Sequence, residues 1–171
     1  MAINLQYRVR PMFDTDLEQV LEWRNHPDVN RYMYTQHKIV LAEHTQWFEV
    51  VSKDPSYHLL IFEVDNIPLG FINIHQIGEG GIADWGFYVA PTAPKGTGAL
   101  LGESALHYAF LIAKLHKICG QALGYNAPSI RFHQRLGFRE EGNLREQHFD
   151  GQNYHDVMHF GLLASEWRTH N

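Results

Sequence analysis

Apolar positions along the chain keep two different periods, and the switches between them mark out its elements. Residues 3 to 10 (INLQYRVR) alternate and predict a strand. Thr15-Asp16-Leu17-Glu18 has the spacing of a reciprocal helix cap and predicts a helix to about Arg24, with Leu17, Val20, Leu21 and Trp23 on its apolar side and Pro27 as its stop. A second helix is predicted from Leu41 to Val51, where Leu41, His44, Trp47, Phe48 and Val51 recur at three- and four-residue steps. The period then drops to two. HLLIFEV (58–64), LGFINIH (69–75) and IADWGFYV (82–89), with turns at Asp65-Asn66-Ile67-Pro68 and Gly78-Glu79-Gly80-Gly81, predict an antiparallel meander. PTAPKGTGALLGESALHYAF (91–110) opens a third long helix with Leu101, Ala105, Tyr108, Ile112 and Leu115 as its core stripe. A short strand (118–123), a helix from near Asn126 to a terminating Gly137, and two strands around Asp150-Gly151-Gln152-Asn153 complete the order.

Residues 82–89 and 117–123 flank a helix, and a strand–helix–strand unit of this kind crosses over to parallel pairing. The flanking strands are antiparallel. The expected fold is therefore α/β (α+β), a mixed, mostly antiparallel twisted sheet with helices on both faces. No repeat or low-complexity linker interrupts the 171 residues, so a single domain over 1–171 is expected.

Composition narrows the function. A net charge of -5 argues against a nucleic-acid binder working through a broad basic surface. No segment approaches 18 consecutive apolar residues, so no membrane span is expected, and one cysteine, Cys119, fits a soluble cytoplasmic protein. Twelve histidines suggest a metal, but His155 and His159 lie on a predicted strand. Four residues of strand is roughly 13 Å, too far to share an ion. No metal site is expected.

The loop before the third helix carries chemistry of its own. The first amides of a helix lack partners within it and sit at the positive end of its dipole. Glycines allow close approach of an anion there. Gly96, Thr97, Gly98 and Ala99 offer amides, Lys95 a charge and Thr97 a hydroxyl. A Walker loop is absent, and the third glycine of a dinucleotide fingerprint, Gly102, comes one residue late. On the glycines alone, a phosphate cradle and a merely turn-shaping pair both stay open.

The order of elements, together with Lys95-Gly96-Thr97-Gly98 and Asn126…Ser129-Ile130…Leu136-Gly137-Phe138, resembles the GNAT superfamily of acetyl-CoA-dependent N-acetyltransferases. The family's leading Gln or Arg is Ala93 here. The resemblance implies acetyl-CoA as co-substrate, with its pyrophosphate on the loop amides. Its pantetheine arm would lie between two splayed parallel strands, 82–89 and 117–123, near Tyr88, Val89 and Asn126. Glu22-Trp23-Arg24-Asn25-His26-Pro27-Asp28-Val29, with Tyr32-Met33, His37-Lys38-Ile39 and Glu43-His44, is similar to the branch acting on sugar nucleotides. That branch acetylates a UDP-linked 4-amino-4,6-dideoxy sugar in pseudaminic acid biosynthesis, a route to bacterial surface glycosylation. A homodimer is compatible with it. Acetylation of a protein N-terminus or another small amine, or coenzyme binding without turnover, are the alternatives.

Several side chains are candidates for the chemistry. The resemblance places an acid at His133, where the family often has Tyr, and a carbonyl-polarising amide at Val89 or a neighbour. Asp84 and His75 are candidate bases. Arg24 is the candidate for the acceptor's diphosphate or uracil, because a guanidinium fork matches phosphate. Met33, His44 and Trp47 are expected to line the cleft, and Asn73 to touch the sugar.

Overall fold

In the computed structural model, residues 6–168 are described. The strands are β1 (Tyr7–Pro11), β2 (Tyr57–Val64), β3 (Ile67–Gln76), β4 (Ile82–Val89), β5 (Lys117–Leu123), β6 (Arg139–Phe149) and β7 (Tyr154–Leu163). They form one seven-stranded sheet in the order β1-β2-β3-β4-β5-β7-β6, and β4–β5 is its parallel pair. Helices α1 (Leu17–Asn25), α2 (Pro27–Asn30), α3 (Leu41–Val51), α4 (Thr97–His107), α5 (Ala127–Arg135) and α6 (Ala164–Arg168) surround it. The mixed sheet and its crossover agree with the sequence reading.

Alternation along the strands builds two cores. Leu60, Phe62, Ile72, Ile74, Ala83, Trp85, Ile118 and Phe160 pack against Leu101, Ala105 and Leu106 of α4 and against Phe132 and Leu136 around α5. Leu59, Ile61 and Phe71 face the other way, onto Leu17, Val20 and Trp23 of α1 and Trp47 and Phe48 of α3. Each large, fully buried side chain removed from water contributes about 1.5–3 kcal/mol. These two layers hold β3 and the end of β4 from opposite sides, while β5 packs on the first alone, and this positions the gap described below.

Local structure departs from the sequence reading in several places. Of the strand expected at 3–10, residues 3–5 lie outside the described residues. Thr15 does not cap α1. Asp14–Asp16 form a 3-10 turn, the Asp16 carboxylate accepts from the Phe13 amide (2.8 Å), and Arg10 of β1 grips both its oxygens (2.8 Å each). Pro27 ends α1 yet opens α2, with the His26 Nδ1 accepting from the Asp28 amide (3.2 Å). The β2–β3 turn is only Asp65-Asn66, both with positive φ, so Ile67 and Pro68 join β3 against a bulge at Phe62/Glu63. After α4 a π-helical stretch, Tyr108–Ile112, adds one residue per turn. It rotates Ala109 and Phe110 inward and leaves Ile112 62% exposed, so the expected stripe fails at that position. The short α6 has no counterpart in the sequence reading.

Candidate active site

β4 and β5 pair only at Ile82↔Lys117, Ala83↔Ile118 and Asp84↔Cys119. Beyond that point β4 stays with β3 as far as Val89, and β5 stays with β7 as far as Leu123. A gap therefore opens from Trp85 and Gly120 onward. The Ala90 amide donates to Leu69 O and Ile82 O accepts from the Ile77 amide, both on the β3 side (2.8 Å each). Alternation turns the peptide groups of Trp85, Phe87 and Val89 the other way, into the gap. A backbone edge stripped of its partner in this way offers hydrogen bonds to an extended ligand arm.

The mouth of the gap is closed by the loop before α4. Gly96 has φ +91°, a left-handed conformation that glycine adopts without strain. The Thr97 amide and hydroxyl both donate to Pro94 O (3.2 and 2.7 Å), and the Ala99 amide donates to Gly96 O (3.1 Å). The expected Thr97 hydroxyl contact is thus already spent, and of the four expected amides two close the turn. Among the described residues the Gly98 amide has no partner, and Gly98 itself lies beside Val89 at the end of β4. Lys95 is exposed next to it. This cradle of a free amide, a helix start and a lysine suits an anion.

On the α5 side of the gap the side chains are satisfied. Asn126 caps α5, its oxygen accepting from the Ser129 amide (3.1 Å). His133 is 1% exposed. Its Nδ1 donates to Ser129 O (2.8 Å), its Nε2 accepts from the Trp85 indole (3.1 Å), and its ring stacks on Phe160 (4.9 Å). Burial lowers its pKa and keeps it neutral. With its one N–H committed to a helix carbonyl it has no proton to present, and the expectation of His133 as acid is corrected to a packing role. A Cβ on Gly120 would run into its Nε2.

The opposite face reads as three rungs across the sheet. The first is Tyr57–His75–Asp84–Cys119, the second Leu59–Asn73–Gly86 and, across the gap, Gln121–His159, and the third Ile61–Phe71–Tyr88 and Leu123–Val157. Tyr57 stacks on His75 (3.9 Å). Burial raises the Asp84 pKa, opposed by His75 and His159. The Asn73 oxygen is buried without a partner. A Cβ built on Gly86 meets nothing within 4 Å, so open space lies over the second rung.

Residues 31–40 roof this face. Asn25 and Ile39 exchange two hydrogen bonds (2.8 and 2.9 Å), and Arg24 Nη2 donates to Thr35 O (2.7 Å). Tyr34 OH donates to Gln121 Oε1 (2.9 Å), and Tyr125 OH to Arg31 O (3.1 Å). Arg24 Nη1 is buried with no partner, as is His44 Nε2. Burial lowers both pKa values, for His44 with a further push from Arg24. Burial raises that of Tyr88, which Arg24 opposes. Trp47 stacks on His44 (5.2 Å) and meets Phe71 edge-on (6.1 Å), so it supports the α3 layer more than it lines a cleft. Met33 is half-buried at the start of the roof.

The structure thus brings His75, Asp84, Asn73 and Tyr88 onto one face, beneath a roof tied to Arg24, and puts His133 on the other. Sequence reasoning did not single out Gln121, His159 or Tyr34, whose places depend on strand register and on the path of the roof rather than on any local motif. Among the described residues no group of three or more His, Cys, Asp or Glu converges on a metal position, and no helix is long and apolar enough to cross a membrane.

Comparison with known proteins bears on this geometry. The family profile described as "Acetyltransferase (GNAT) domain" matches residues 7–139. Acetyltransferase PseH of Campylobacter jejuni is 28% identical over 124 residues, 72% of this chain and 76% of that protein. Spermidine N(1)-acetyltransferase of Vibrio cholerae is 34% identical over 168 residues, 96% of this chain and 97% of that one. A solved structure of Vibrio cholerae spermidine N-acetyltransferase, in complex with CoA and spermine, superposes with a TM-score of 0.88 at 24% identity over 95% of this chain and 98% of its own, which shows the shared fold. Acetyl-CoA is the co-substrate this fold serves, and the chain belongs to the GNAT family of N-acetyltransferases.

Proposed function

We propose that the acceptor is the 4-amino group of a UDP-linked amino-deoxy sugar, of the kind used in pseudaminic acid biosynthesis. The observation that carries this reading is Arg24 Nη1, a guanidinium nitrogen buried without a partner beneath the roof of the acceptor face. Such a group is costly unless an anion meets it, and a diphosphate is the anion a fork of N–H donors matches. His44 Nε2 lies unpartnered in the same layer.

Acetyl-CoA supplies the activated acetyl group. The Gly98 amide and Lys95 would hold its pyrophosphate, and the turned-out peptides of Val89, Phe87 and Trp85 its arm. Four residues of strand separate Val89 from Trp85, roughly 13 Å. The amide near the acyl group is therefore that of Phe87 or Trp85, deeper than Val89. Transfer forms a C–N bond and breaks a C–S bond, whose electron pair leaves with coenzyme A as the thiolate. Asp84, raised by burial, stands under the open space over Gly86 and takes the amine proton.

A second reading is acetylation of a polyamine, favoured by the 34% identity to the Vibrio cholerae spermidine enzyme. Against it, the three rungs carry one carboxylate, Asp84, beside two histidines, two amides and the nearby Arg24. A chain of ammonium groups needs more negative charge than that. The test is thiol release from acetyl-CoA with the UDP-linked 4-amino sugar, spermidine and a peptide amine, for the wild type and Arg24→Ala. The reading expects the sugar nucleotide to be preferred and its KM to rise at least tenfold in Arg24→Ala. Preference for spermidine, or an unchanged KM, overturns it.

A further inference from the structure

The second rung holds an asymmetry that the proposed chemistry has not used. On one lip of the gap Asn73 presents a buried, unpartnered Oδ1. On the other, Gln121 accepts from Tyr34 OH through Oε1, which leaves its amide nitrogen free of any partner among the described residues. Between them is Gly86, with empty space where a side chain would stand. One lip therefore accepts and the other donates. Tyr34 is itself set edge-on against His148 (5.2 Å), so its hydroxyl is aimed rather than free to swing.

We infer that Asn73 and Gln121 are a pair of positioning groups for the acceptor. Asn73 Oδ1 accepts from the acceptor's amine N–H and holds that nitrogen over Gly86. Gln121 donates its N–H groups to an oxygen on the acceptor, and Tyr34 fixes which way the Gln121 amide points. Tyr34 acts through Gln121 and touches no reacting atom. This rests on the reading that the face roofed by residues 31–40 takes the acceptor; the Asn73 role holds for any amine, the Gln121 role only for an acceptor with an oxygen near its amine. A carbonyl or hydroxyl oxygen near the amine suits the Gln121 donor, and a polyamine has none.

The roles separate by variant. Gln121→Glu still accepts from Tyr34 but can no longer donate. With the UDP-linked 4-amino sugar its acceptor KM is expected to rise tenfold or more, with the acetyl-CoA KM within twofold of wild type. Tyr34→Phe leaves Gln121 unaimed and is expected to raise the acceptor KM about threefold. Asn73→Asp places a second carboxylate beside the bound amine, which favours the ammonium form, and the acid limb of the kcat profile is expected to move to higher pH. A merely structural role for Asn73 would leave that limb in place. If spermidine proves to be the acceptor, the sugar-nucleotide reading and the Gln121 donor role both fail, and the Asn73 role is still tested by its acid limb. Acceptor KM values within twofold of wild type for Gln121→Glu and Tyr34→Phe, together with an unmoved acid limb in Asn73→Asp, overturn the inference whichever amine is used.

Discussion

The two faces of the β4–β5 gap are built from neighbouring residues of the same strands, yet they obey opposite rules. Toward α5, Trp85 and Gly120 meet His133, and every polar atom of that histidine has a partner. Toward the roof, Asp84, Asn73 and Arg24 keep an unfavourable burial or an unpartnered atom. A buried polar group with its hydrogen bonds made is part of the core, while one left unpaired costs free energy that a ligand can recover. The contrast separates a histidine with its hydrogen bonds made from a carboxylate held at a burial cost, the one proposed as the base, although both lie at the foot of the same gap.

The largest expected effect is on the satisfied face. His133→Ala removes a stacked ring and strands the Trp85 indole N–H, so it should lower stability by about 3 kcal/mol and the melting temperature by roughly 10 °C. The kcat of the folded fraction should stay within about threefold, which separates this loss from one of chemistry. A kcat loss beyond tenfold with normal melting would return His133 to the mechanism and erase the distinction between the faces. Wild-type stability should also fall with acid. His133 is held neutral, so the loss begins below the unfolded histidine value of about 6.5 and levels off below the lowered folded one. In His133→Ala that part of the pH dependence should be gone.

Next comes Asp84→Asn. Loss of the proposed base should lower kcat roughly a hundredfold. The folded pKa of Asp84 is raised, so its charged form works against folding above that value. At neutral pH the variant should therefore melt higher than wild type, and this gain should vanish at acid pH, where wild-type Asp84 is already protonated. In the wild type the acid limb of kcat/KM should lie above the ordinary carboxylate range. A variant both inactive and less stable would mean that Asp84 holds the fold instead of serving the reaction.

The smallest effects come from two glycines, and they should be opposite in kind. Gly120→Ala drives a methyl into His133 Nε2 and the Trp85 indole, and should cost about 1–3 kcal/mol in chemical denaturation. Gly86→Ala places the same methyl in open space, so stability should change by less than about 0.5 kcal/mol. Its acceptor KM should rise severalfold, because the methyl occupies the amine's place. If Gly86→Ala bound the acceptor normally, the open space over the second rung would not be where the amine sits.

Much of this was legible in the chain. Periods of two and of three to four set out the strands and most helices, and the strand–helix–strand order required a parallel pair. The Gly96-Thr97-Gly98 loop and Asn126 marked two helix starts by their backbone chemistry. Other features could not be read locally. The π-helical turn at Tyr108–Ile112 leaves no trace in the hydrophobic spacing, because its extra residue is accommodated by packing between sheet and helix. His133 stood at the position of a family acid, and only the partners brought from β4, the first turn of α5 and β7 show both its nitrogens occupied.

Residue type and spacing determined by themselves which stretches would be strand, helix or anion-ready turn, since propensity, alternation and capping act over a few neighbours. Which polar groups of the acceptor face are spent and which remain open was decided by tertiary structure. That depends on register across β3, β4, β5 and β7 and on the Tyr34 and Arg24 ties of the roof, contacts between residues far apart in the chain.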